Sequence, residues 1–356
     1  GRLSSIADLQ EKLGVAWPWP EGTGSAEQVL LLHDGANNLR VFCVADGVEP
    51  SFREYHVMDF SSDTAVRLPR EYEILPEVMV GIVGLGSLGS KVAVSLARAG
   101  VKRFLLVDDD VLAPQNLVRN QLSWRDVGYE KVEAVARQIK LIAPDAEVAV
   151  RTVRVAGQEN PSLASVLADE LSTCNLLVDA SATPSAFVAL AAVCRRANVA
   201  FVWGEVFGGG GGALMARSRP GFDADPLSIR GHIHGVLSEL EPPPDGKVSA
   251  YGSEEAGRVY VASDADVSAL AASMTQFTLD ALCTGAESAY PVAAYLLGFR
   301  RFWIFRQPFD VFPIDCSVAL QPELPAEPLS PQEQADLATL TRALEVRSGA
   351  SSNGTN

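Results

Sequence analysis

The feature that most constrains the fold is an apolar segment followed at once by closely spaced glycines. Residues 78–83 read Val-Met-Val-Gly-Ile-Val, which is typical of a parallel strand buried on both faces. Residues 84–89 then read Gly-Leu-Gly-Ser-Leu-Gly, and residues 90–99 have the apolar spacing of a helix. Because glycines at this spacing between a strand and a helix form a phosphate-binding turn, the segment indicates a nucleotide site.

Each glycine in this loop has its own physical role. Gly84 permits the tight turn after the strand, Gly86 lets backbone N–H groups approach a phosphate, and Gly89 lets the helix pack closely on the strand. Asp108 ends the next apolar segment and places a carboxylate near a ribose. The motif does not specify which nucleotide binds, and the alternative to a nucleotide site is a tight turn without a ligand.

Strands and helices alternate after residue 76. This alternation predicts an α/β fold with a doubly wound, mainly parallel sheet and a Rossmann-like nucleotide-binding half. A small α/β unit without a catalytic signature precedes it, with a helix over residues 5–13 and three strands. In the core, strands are expected at 78–83, 104–107, 147–153, 176–178 and 199–206, and helices at 90–99, 131–143, 163–171 and 185–197.

The chain is expected to divide into five segments. They are a small N-terminal accessory unit (1–75), a Rossmann-like nucleotide-binding core (76–217), an irregular crossover connection (218–258), the remainder of the core domain (259–321), and a C-terminal helix with a disordered tail (322–356). In the fourth segment, residues 265–298 have helical character. Short strands are expected there at 302–305 and 309–319.

Composition excludes several classes of function. The 356 residues contain 29 Lys plus Arg and 44 Asp plus Glu, for a net charge of −15, which argues against a broad nucleic-acid or membrane surface. No apolar run approaches the ~20 residues of a transmembrane helix, and the N-terminus lacks a secretory apolar region. The 5 cysteines include no C-x-x-C pair, which disfavours a cysteine-based zinc site and favours a reducing cytoplasm.

Polar residues after Asp108 continue the pattern. Residues 108–110 are three aspartates, residues 116–121 read Asn-Leu-Val-Arg-Asn-Gln, and residues 128–131 read Gly-Tyr-Glu-Lys before a helix. With the glycine loop, this series resembles the ThiF/MoeB/ubiquitin-activating superfamily over about residues 78–217. The resemblance implies ATP-dependent adenylation of the C-terminal carboxylate of a ubiquitin-like or sulfur-carrier protein, with Mg²⁺, and handover to a conjugating enzyme or a sulfur donor.

The resemblance also implies individual roles. Asp108 would hold the ribose, Asp110 would lie in the nucleotide site, Asn116 and Arg119 would contact phosphates, and Lys131 would reach the α–β phosphate region. Positive charge is needed there because a carboxylate and a triphosphate repel each other. Taken singly, Arg119 and Lys131 would be read as solvated surface charges, and their place in this motif series reverses that preference.

The metal-binding position departs from the family pattern. Residues 179–183 read Asp-Ala-Ser-Ala-Thr, so Asp179 matches the first acid of the family loop, but Ala182 stands where a metal-binding Asp is usual. We expect Asp179 to be the catalytic and metal-binding acid, with Asp110 as the alternative. The third outcome is impaired catalysis, as in a non-catalytic scaffold half of an activating-enzyme dimer.

A substrate path and a nucleophile remain to be assigned. By resemblance, Glu205 and the glycine run at 208–212 would lie along the path of the substrate tail, and the alternative is a flexible loop. Activating enzymes carry a catalytic cysteine near the crossover, but residues 207–282 contain none. Cys316 is the remaining candidate nucleophile, and without it the enzyme would stop at the acyl-adenylate.

Four further features have competing interpretations. His232 and His234 alternate on an expected strand and are candidate metal ligands or packing residues. Arg300-Arg301, before aromatic residues, suggests a buried strand or protein contact more than a nucleic-acid site. By resemblance, Arg70 would be an arginine finger in a homo- or heterodimer. A nicotinamide oxidoreductase shares the glycine loop, but does not account for the polar residues that follow it.

Overall fold

A computed structural model describes residues 5–13, 27–33, 39–45, 51–57, 68–157, 161–242, 252–255 and 258–317. The chain separates into two compact units, Gly1–Arg67 and Leu68–Asn356. The sequence analysis had placed the corresponding boundary at residue 75. The helix and the tail expected within 322–356 lie outside the described residues.

The first unit contains one helix and a three-stranded antiparallel sheet. The hydroxyl of Ser5 accepts a hydrogen bond from the N–H of Asp8 at 3.1 Å, which caps the helix. In the sheet, the Arg40 and Glu54 side chains pair at 2.7 Å across two neighbouring strands. The elements match the expected helix and strands: α1 (Ile6–Leu13), β1 (Glu27–His33), β2 (Leu39–Ala45) and β3 (Ser51–Tyr55).

The second unit is built on an eight-stranded mixed sheet. Its strands are β4 (Met79–Val83), β5 (Arg103–Val107), β6 (Glu147–Arg151), β7 (Leu176–Asp179), β8 (Ala200–Phe207), β9 (Gly212–Ser218), β12 (Ala294–Gly298) and β13 (Asp310–Ile314). They lie in the order β13-β12-β9-β8-β7-β4-β5-β6. β4 to β8 run parallel, and β9, β12 and β13 extend the sheet by antiparallel pairing. The predicted α/β fold with a mainly parallel sheet is confirmed.

Helices cover both faces of this sheet. Val80 and Ile82 of β4 pack into one hydrophobic core, and Val83 points to the core on the opposite face, as a strand buried on both sides requires. The first core includes α2 (Ser87–Ala99), α3 (Lys131–Ile142) and α7 (Asp264–Cys283). The second includes α4 (Pro161–Ser172), α5 (Pro184–Ala197) and α6 (Pro226–Glu239).

The strand order creates a crevice at the carboxyl end of β4. From β4 the chain first builds outward through β5 and β6, and then returns to place β7 on the other side of β4. The connections after β4 and β7 therefore diverge to opposite faces of the sheet. Ligands of open α/β sheets bind at such a switch point.

Three regions differ from the sequence-based expectation. Residues 218–258 are not simply irregular, because they contain α6 and the strand β10 (Gly252–Glu255), which pairs with β11 (Arg258–Val261). The expected helical stretch 265–298 ends at Cys283 and is followed by β12, and residues 302–305 form an isolated bridge instead of a strand. None of the described helices combines the length and apolar composition needed to cross a membrane.

Candidate functional site

The glycine loop is tightly packed at two positions and open at the third. Gly84 has φ +86°, and a Cβ there would lie 2.6 Å from the backbone nitrogen of Ser181. A Cβ on Gly89 would lie 1.9 Å from the carbonyl oxygen of Gly84. A Cβ on Gly86 would meet no protein atom within 4 Å, although this residue caps the N-terminus of α2. The loop is therefore held rigid while its middle faces open space.

That open space is a cavity of about 430 Å³ at the crevice beside β4. This volume lies in the range of small-molecule sites. Of the predicted site residues in the described part of the chain, Gly89 and Asp179 lie outside its lining. The others are brought together there: Gly84, Gly86, Asp108, Asp110, Asn116, Arg119 and Lys131.

Asp108 connects the end of β5 to the glycine loop. Its Oδ2 accepts a hydrogen bond from the N–H of Leu85 at 2.5 Å, and its Oδ1 accepts one from the N–H of Asp110 at 2.8 Å. Burial raises the pKa of Asp108, and these two hydrogen bonds oppose that effect. The carboxyl group is thus fixed in orientation at the centre of the cavity wall.

Lys131 begins α3 and is attached to the loop after β5. Its backbone N–H donates to the carbonyl of Asp110 at 2.9 Å, and its Nζ lies 2.6 Å from Oδ2 of the same residue. The Lys131 side chain is only 7% exposed. A cation this deeply buried requires a partner, and Asp110 supplies it at the rim of the cavity.

A short 3₁₀ helix, Pro114–Val118, positions the next polar residues. The side-chain oxygen of Asn116 accepts a hydrogen bond from the N–H of Ala113 at 3.0 Å, so part of Asn116 is occupied in shaping this turn. Arg119 directly follows the 3₁₀ helix and lines the cavity. The sequence analysis missed Asn120, whose side chain donates to the carbonyl of Leu85 at 3.4 Å and ties this turn to the glycine loop.

Three consecutive acids form the clearest candidate metal position. One carboxylate oxygen from each of Asp108, Asp109 and Asp110 lies within 4.8 Å of the others. Oxygen ligands of this kind suit Mg²⁺, which binds one or two carboxylates together with substrate phosphates. Asp109 also pairs with Arg154 at 3.0 Å, and this arginine, which the sequence analysis missed, lines the cavity as well.

Asp179 lies at the end of β7, where it lines a second cavity of about 200 Å³. Its Oδ1 accepts hydrogen bonds from the N–H of Ser181 at 2.9 Å and from the Ser181 hydroxyl at 2.7 Å. Burial raises the pKa of Asp179, and the bonds from Ser181 oppose the shift. Thr183 lines both cavities, so the two spaces are neighbours.

The second cavity combines an apolar wall with charged groups from two elements. The guanidinium of Arg230, on α6, lies 4.3 Å from the ring centroid of Phe187 on α5. Glu205, which was predicted on the substrate path, lines the same space together with His234. Ala182 also lines it and has φ +52°, a conformation in which Asp and Asn are less strained than Ala.

The glycine run after β8 is a packed turn. A Cβ on Gly208 would lie 2.6 Å from the ring of Phe302, and one on Gly210 would lie 2.3 Å from a carboxylate oxygen of Asp266. Among the described residues, the run at 208–212 lines neither cavity. Close packing therefore accounts for these glycines better than the expected tail groove or flexible loop.

The surroundings of Cys316, the remaining candidate nucleophile, argue against that role. The residue is 3% exposed, and its thiol donates to the carbonyl of Ile314 at 3.6 Å. Burial raises the pKa of Cys316 to about 11. Burial likewise raises the pKa of Cys174 and Cys194 to about 12 and that of Cys283 to about 11, so thiolates are strongly disfavoured at all four.

The remaining candidates are separated from the main cavity. His232 and His234 lie on helix α6 instead of the expected strand, and residues two apart on a helix do not share a face. Their interpretation as a paired metal site is therefore corrected. Arg300 pairs with Asp266 at 2.9 Å, and Arg301 and Arg70 are exposed.

Comparison with known proteins agrees with this geometry. Residues 61–226 match the model of the ThiF family. This region, just under half of the 356 residues, is a ThiF-family domain. The ThiF match contains the glycine loop, the acids after β5, Arg119, Lys131 and the loop after β7.

Curated relatives match parts of the chain. The Sinorhizobium fredii protein y4qC is 30% identical over 184 residues, which are 50% of this chain and 30% of that protein. Ubiquitin-like modifier-activating enzyme 5 of Drosophila ananassae is 30% identical over 95 residues, 27% of this chain and 24% of the enzyme. The chain spans about a third of the length of the first two curated relatives that it matches.

A solved structure shows the same fold. The crystal structure of E. coli MccB with ATP has a TM-score of 0.50 and 17% sequence identity, and the match covers 69% of this chain and 66% of MccB. At this identity the likeness concerns the fold alone. The α/β fold with its mainly parallel sheet is thus supported independently of the site residues.

Proposed function

We propose that this chain is an ATP-dependent adenylating enzyme that activates the C-terminal carboxylate of a ubiquitin-like protein for transfer to a conjugating enzyme. The observation that carries the proposal is the combination, in one cavity, of an open glycine loop, a fixed carboxylate and the cations Arg119 and Lys131. In the reaction, a carboxylate oxygen of the substrate bonds to the α-phosphorus, and the bond from that phosphorus to the bridging oxygen of pyrophosphate breaks.

The glycine loop supports binding of the phosphates. Gly86 caps α2, so the first backbone N–H groups of this helix point toward the cavity with the positive end of the helix dipole. The absence of a side chain at Gly86 leaves room for phosphate oxygens close to the backbone. Asp108, beside the loop, supplies a carboxylate that can accept hydrogen bonds from ribose hydroxyls.

Arg119 and Lys131 supply the charge that the chemistry needs. The reacting carboxylate and the triphosphate repel each other, and negative charge accumulates on the phosphates as pyrophosphate leaves. An ammonium group has three N–H donors, and one of those of Lys131 is directed at Asp110. Fixed cations in a partly enclosed site stabilise this charge without having to reorganise during the reaction.

The donor set also fits Mg²⁺. Asp110 and its neighbours Asp108 and Asp109 offer carboxylate oxygens within 4.8 Å of one another in the cavity wall, and Asp179 offers one from the adjoining space. When bound with ATP, Mg²⁺ would neutralise phosphate charge and help to align the triphosphate. Asp110 or Asp179 would hold it from this chain.

The second cavity could receive the C-terminal end of the substrate protein. It adjoins the nucleotide cavity at Thr183, and it presents Arg230 and Glu205 beside the ring of Phe187. The last residue of a polypeptide carries an amide N–H and a carboxylate. The N–H can donate to the carboxylate of Glu205, and the carboxylate can pair with the guanidinium of Arg230. Holding that end next to the nucleotide would replace a bimolecular encounter by a positioned one.

Exchange of labelled pyrophosphate into ATP tests the function. The purified chain is expected to catalyse exchange when it is given a small ubiquitin-like protein with a free C-terminus. The same protein with an amidated C-terminus should give none, because it lacks the attacking oxygen. Absence of exchange with a substrate that is shown to bind would exclude the enzymatic function.

Two alternatives are distinguished by further measurements. A scaffold half of an activating-enzyme dimer, which Ala182 would favour, should gain no stability from ATP, whereas an ATP-binding chain gains ~2.7 kcal/mol at ATP concentrations ~100 times its Kd. A sulfur-carrier adenylyltransferase would perform the same exchange, but would deliver the adenylate to a sulfur donor. A dimeric state and a cytoplasmic location stay predictions.

A further inference from the structure

We infer that Arg154, held in place by Asp109, stacks on the nucleotide base and forms the base-binding end of the cavity. The inference rests on the proposed function only in that ATP is taken as the ligand. It concerns a residue to which neither the glycine motif nor the polar series that follows it assigns any role. The order of the strands and the geometry of the Arg154–Asp109 pair support this role.

The order of the strands determines the order in which the loops after them line the cavity. The glycine loop follows β4, Asp108 follows β5, and residues 153–155 follow β6, and these three parallel strands are adjacent. Neighbouring strands are ~4.8 Å apart, so the cavity crosses three strand ends in sequence. A nucleotide with phosphates at the glycine loop and ribose at Asp108 therefore places its base beside residues 153–155.

Arg154 is presented to this end by a tight turn. The N–H of Gly157 donates to the carbonyl of Arg154 at 3.3 Å, and Ala156 within the turn has φ +57°. Left-handed conformations of this kind in non-glycine residues are concentrated at functional sites. Val153 and Val155 line the cavity on either side of Arg154 in the sequence, so its base end also has apolar walls.

Asp109 fixes the orientation of the guanidinium. Both Nε and Nη2 of Arg154 lie 3.0 Å from Oδ2 of Asp109, so one edge of the planar group is held by the acid. A guanidinium with a fixed plane can stack on an aromatic ring, which a lysine ammonium cannot do in the same way. A planar cation between apolar walls is suited to a purine ring.

Two other roles for Arg154 fit less well. A phosphate contact would require the triphosphate to lie at β6, two strands away from the glycine loop and from the open N-terminus of α2. A simple surface ion pair would resemble Arg196 and Asp169, which also lie 3.0 Å apart, with an arginine as exposed as Arg154 but a more exposed aspartate. That pair is absent from the cavity lining, whereas Arg154 and Asp109 are both part of it.

The test measures binding of adenosine, AMP, ATP and inorganic tripolyphosphate to the full chain by calorimetry. Arg154→Ala is expected to weaken adenosine, AMP and ATP by the same factor, about threefold to thirtyfold, while tripolyphosphate binding is unchanged. Arg154→Lys should behave like Arg154→Ala, because it retains the charge but not the plane. Asp109→Asn should weaken the three adenine ligands less. Arg196→Ala is the matched control and should bind all four ligands like the wild type.

A loss that grows with the number of phosphates, or that appears with tripolyphosphate, would overturn base stacking in favour of a phosphate contact. Unchanged binding of adenosine and ATP to Arg154→Ala would overturn it as well. Because the measurement is binding, its result is separate from that of pyrophosphate exchange. A chain that binds ATP through Arg154 but catalyses no exchange would refute the proposed function and retain the base contact.

Discussion

The Nζ of Lys131 lies 2.6 Å from Oδ2 of Asp110, and the two side chains differ sharply in exposure, at 7% for the lysine and 57% for the aspartate. The pair therefore joins a buried cation to the solvent-facing rim of the cavity. It also connects the first residue of α3 to the loop after β5, because the backbone of Lys131 bonds to the same residue. This places a fixed positive charge beside the proposed phosphate site before any ligand arrives.

Removing this charge should abolish activity. Lys131→Ala is expected to lower the rate of pyrophosphate exchange about 100-fold or more, the size of effect seen when one group that stabilises transition-state charge is lost. Lys102→Ala is the control, since Lys102 pairs with Asp145 at 2.5 Å and is absent from the described cavity lining. Exchange at the wild-type rate in Lys131→Ala would show that the charge is not used.

Substitution by alanine should have different effects at two glycines of the loop, weakening ATP binding at Gly86 and destabilising the fold at Gly84. Gly86→Ala adds a Cβ that meets no protein atom within 4 Å, so the melting temperature should stay unchanged while ATP binding weakens. Gly84→Ala places a Cβ 2.6 Å from Ser181 at φ +86°, so it should destabilise the fold by about 1–3 kcal/mol. Thermal unfolding with and without ATP separates the effects. Equal ATP affinity in Gly86→Ala and wild type would exclude a phosphate at this loop.

Asp179→Asn should raise the melting temperature at neutral pH. A carboxyl whose pKa is raised by burial binds its proton more tightly in the folded state, so its ionisation opposes folding as the pH rises above the ordinary carboxyl range. Asn keeps the oxygen that accepts both hydrogen bonds from Ser181 and carries no charge. We expect a gain of a few degrees at pH ~8 that disappears below pH ~4.

The matched control for this experiment is Asp169→Asn, on the exposed surface of α4. Asp169 pairs with Arg196 at 69% exposure, so its substitution should give no comparable gain at neutral pH. Melting curves over the pH range provide the measurement. A lower melting temperature for Asp179→Asn at pH ~8 would mean that the charge of Asp179 stabilises the fold, contrary to the argument from burial.

Cys316→Ser should leave pyrophosphate exchange intact. With a pKa of about 11, the Cys316 thiol is ionised in only about one molecule in ten thousand at neutral pH. Its burial also keeps electrophiles away. Mass spectrometry of the reaction mixture should show no thioester on this residue, and detection of one that is lost in Cys316→Ser would contradict the assignment.

Local signals in the sequence were sufficient for the nucleotide loop and its neighbours. The apolar strand and the spacing of Gly84, Gly86 and Gly89 are determined by short-range geometry, whereas the polar residues after β5 were recognised by family resemblance. A strand must be followed by a turn of fixed shape before a helix packs back on it. The family resemblance assigned Asp108 and Lys131 to one site, and both residues line the same cavity.

The region after β8 shows where sequence patterns were insufficient. Helix α6 has a clear start signal, since Asp225 accepts hydrogen bonds from the N–H groups of Leu227 and Ser228, and Pro226 occupies the first helical position. This signal was available but was outweighed by the surrounding prolines and glycines. β12 was missed because it is a short apolar segment that follows a long helix. The spacing of apolar residues in so short a segment does not distinguish a strand from a continuation of the helix.

The sequence by itself determined that this chain folds around a glycine loop opening on a row of polar residues. Only the tertiary structure decided which residues distant in the sequence lie beside those polar residues. Strand order depends on packing across the whole sheet, so it leaves no local pattern in the sequence. Arg154 reaches the nucleotide cavity because β6 lies next to β5, and Arg230 meets Phe187 because α6 packs against α5. Burial, which raises the pKa of Asp179 and Cys316, is likewise a property of the assembled core and of no segment alone.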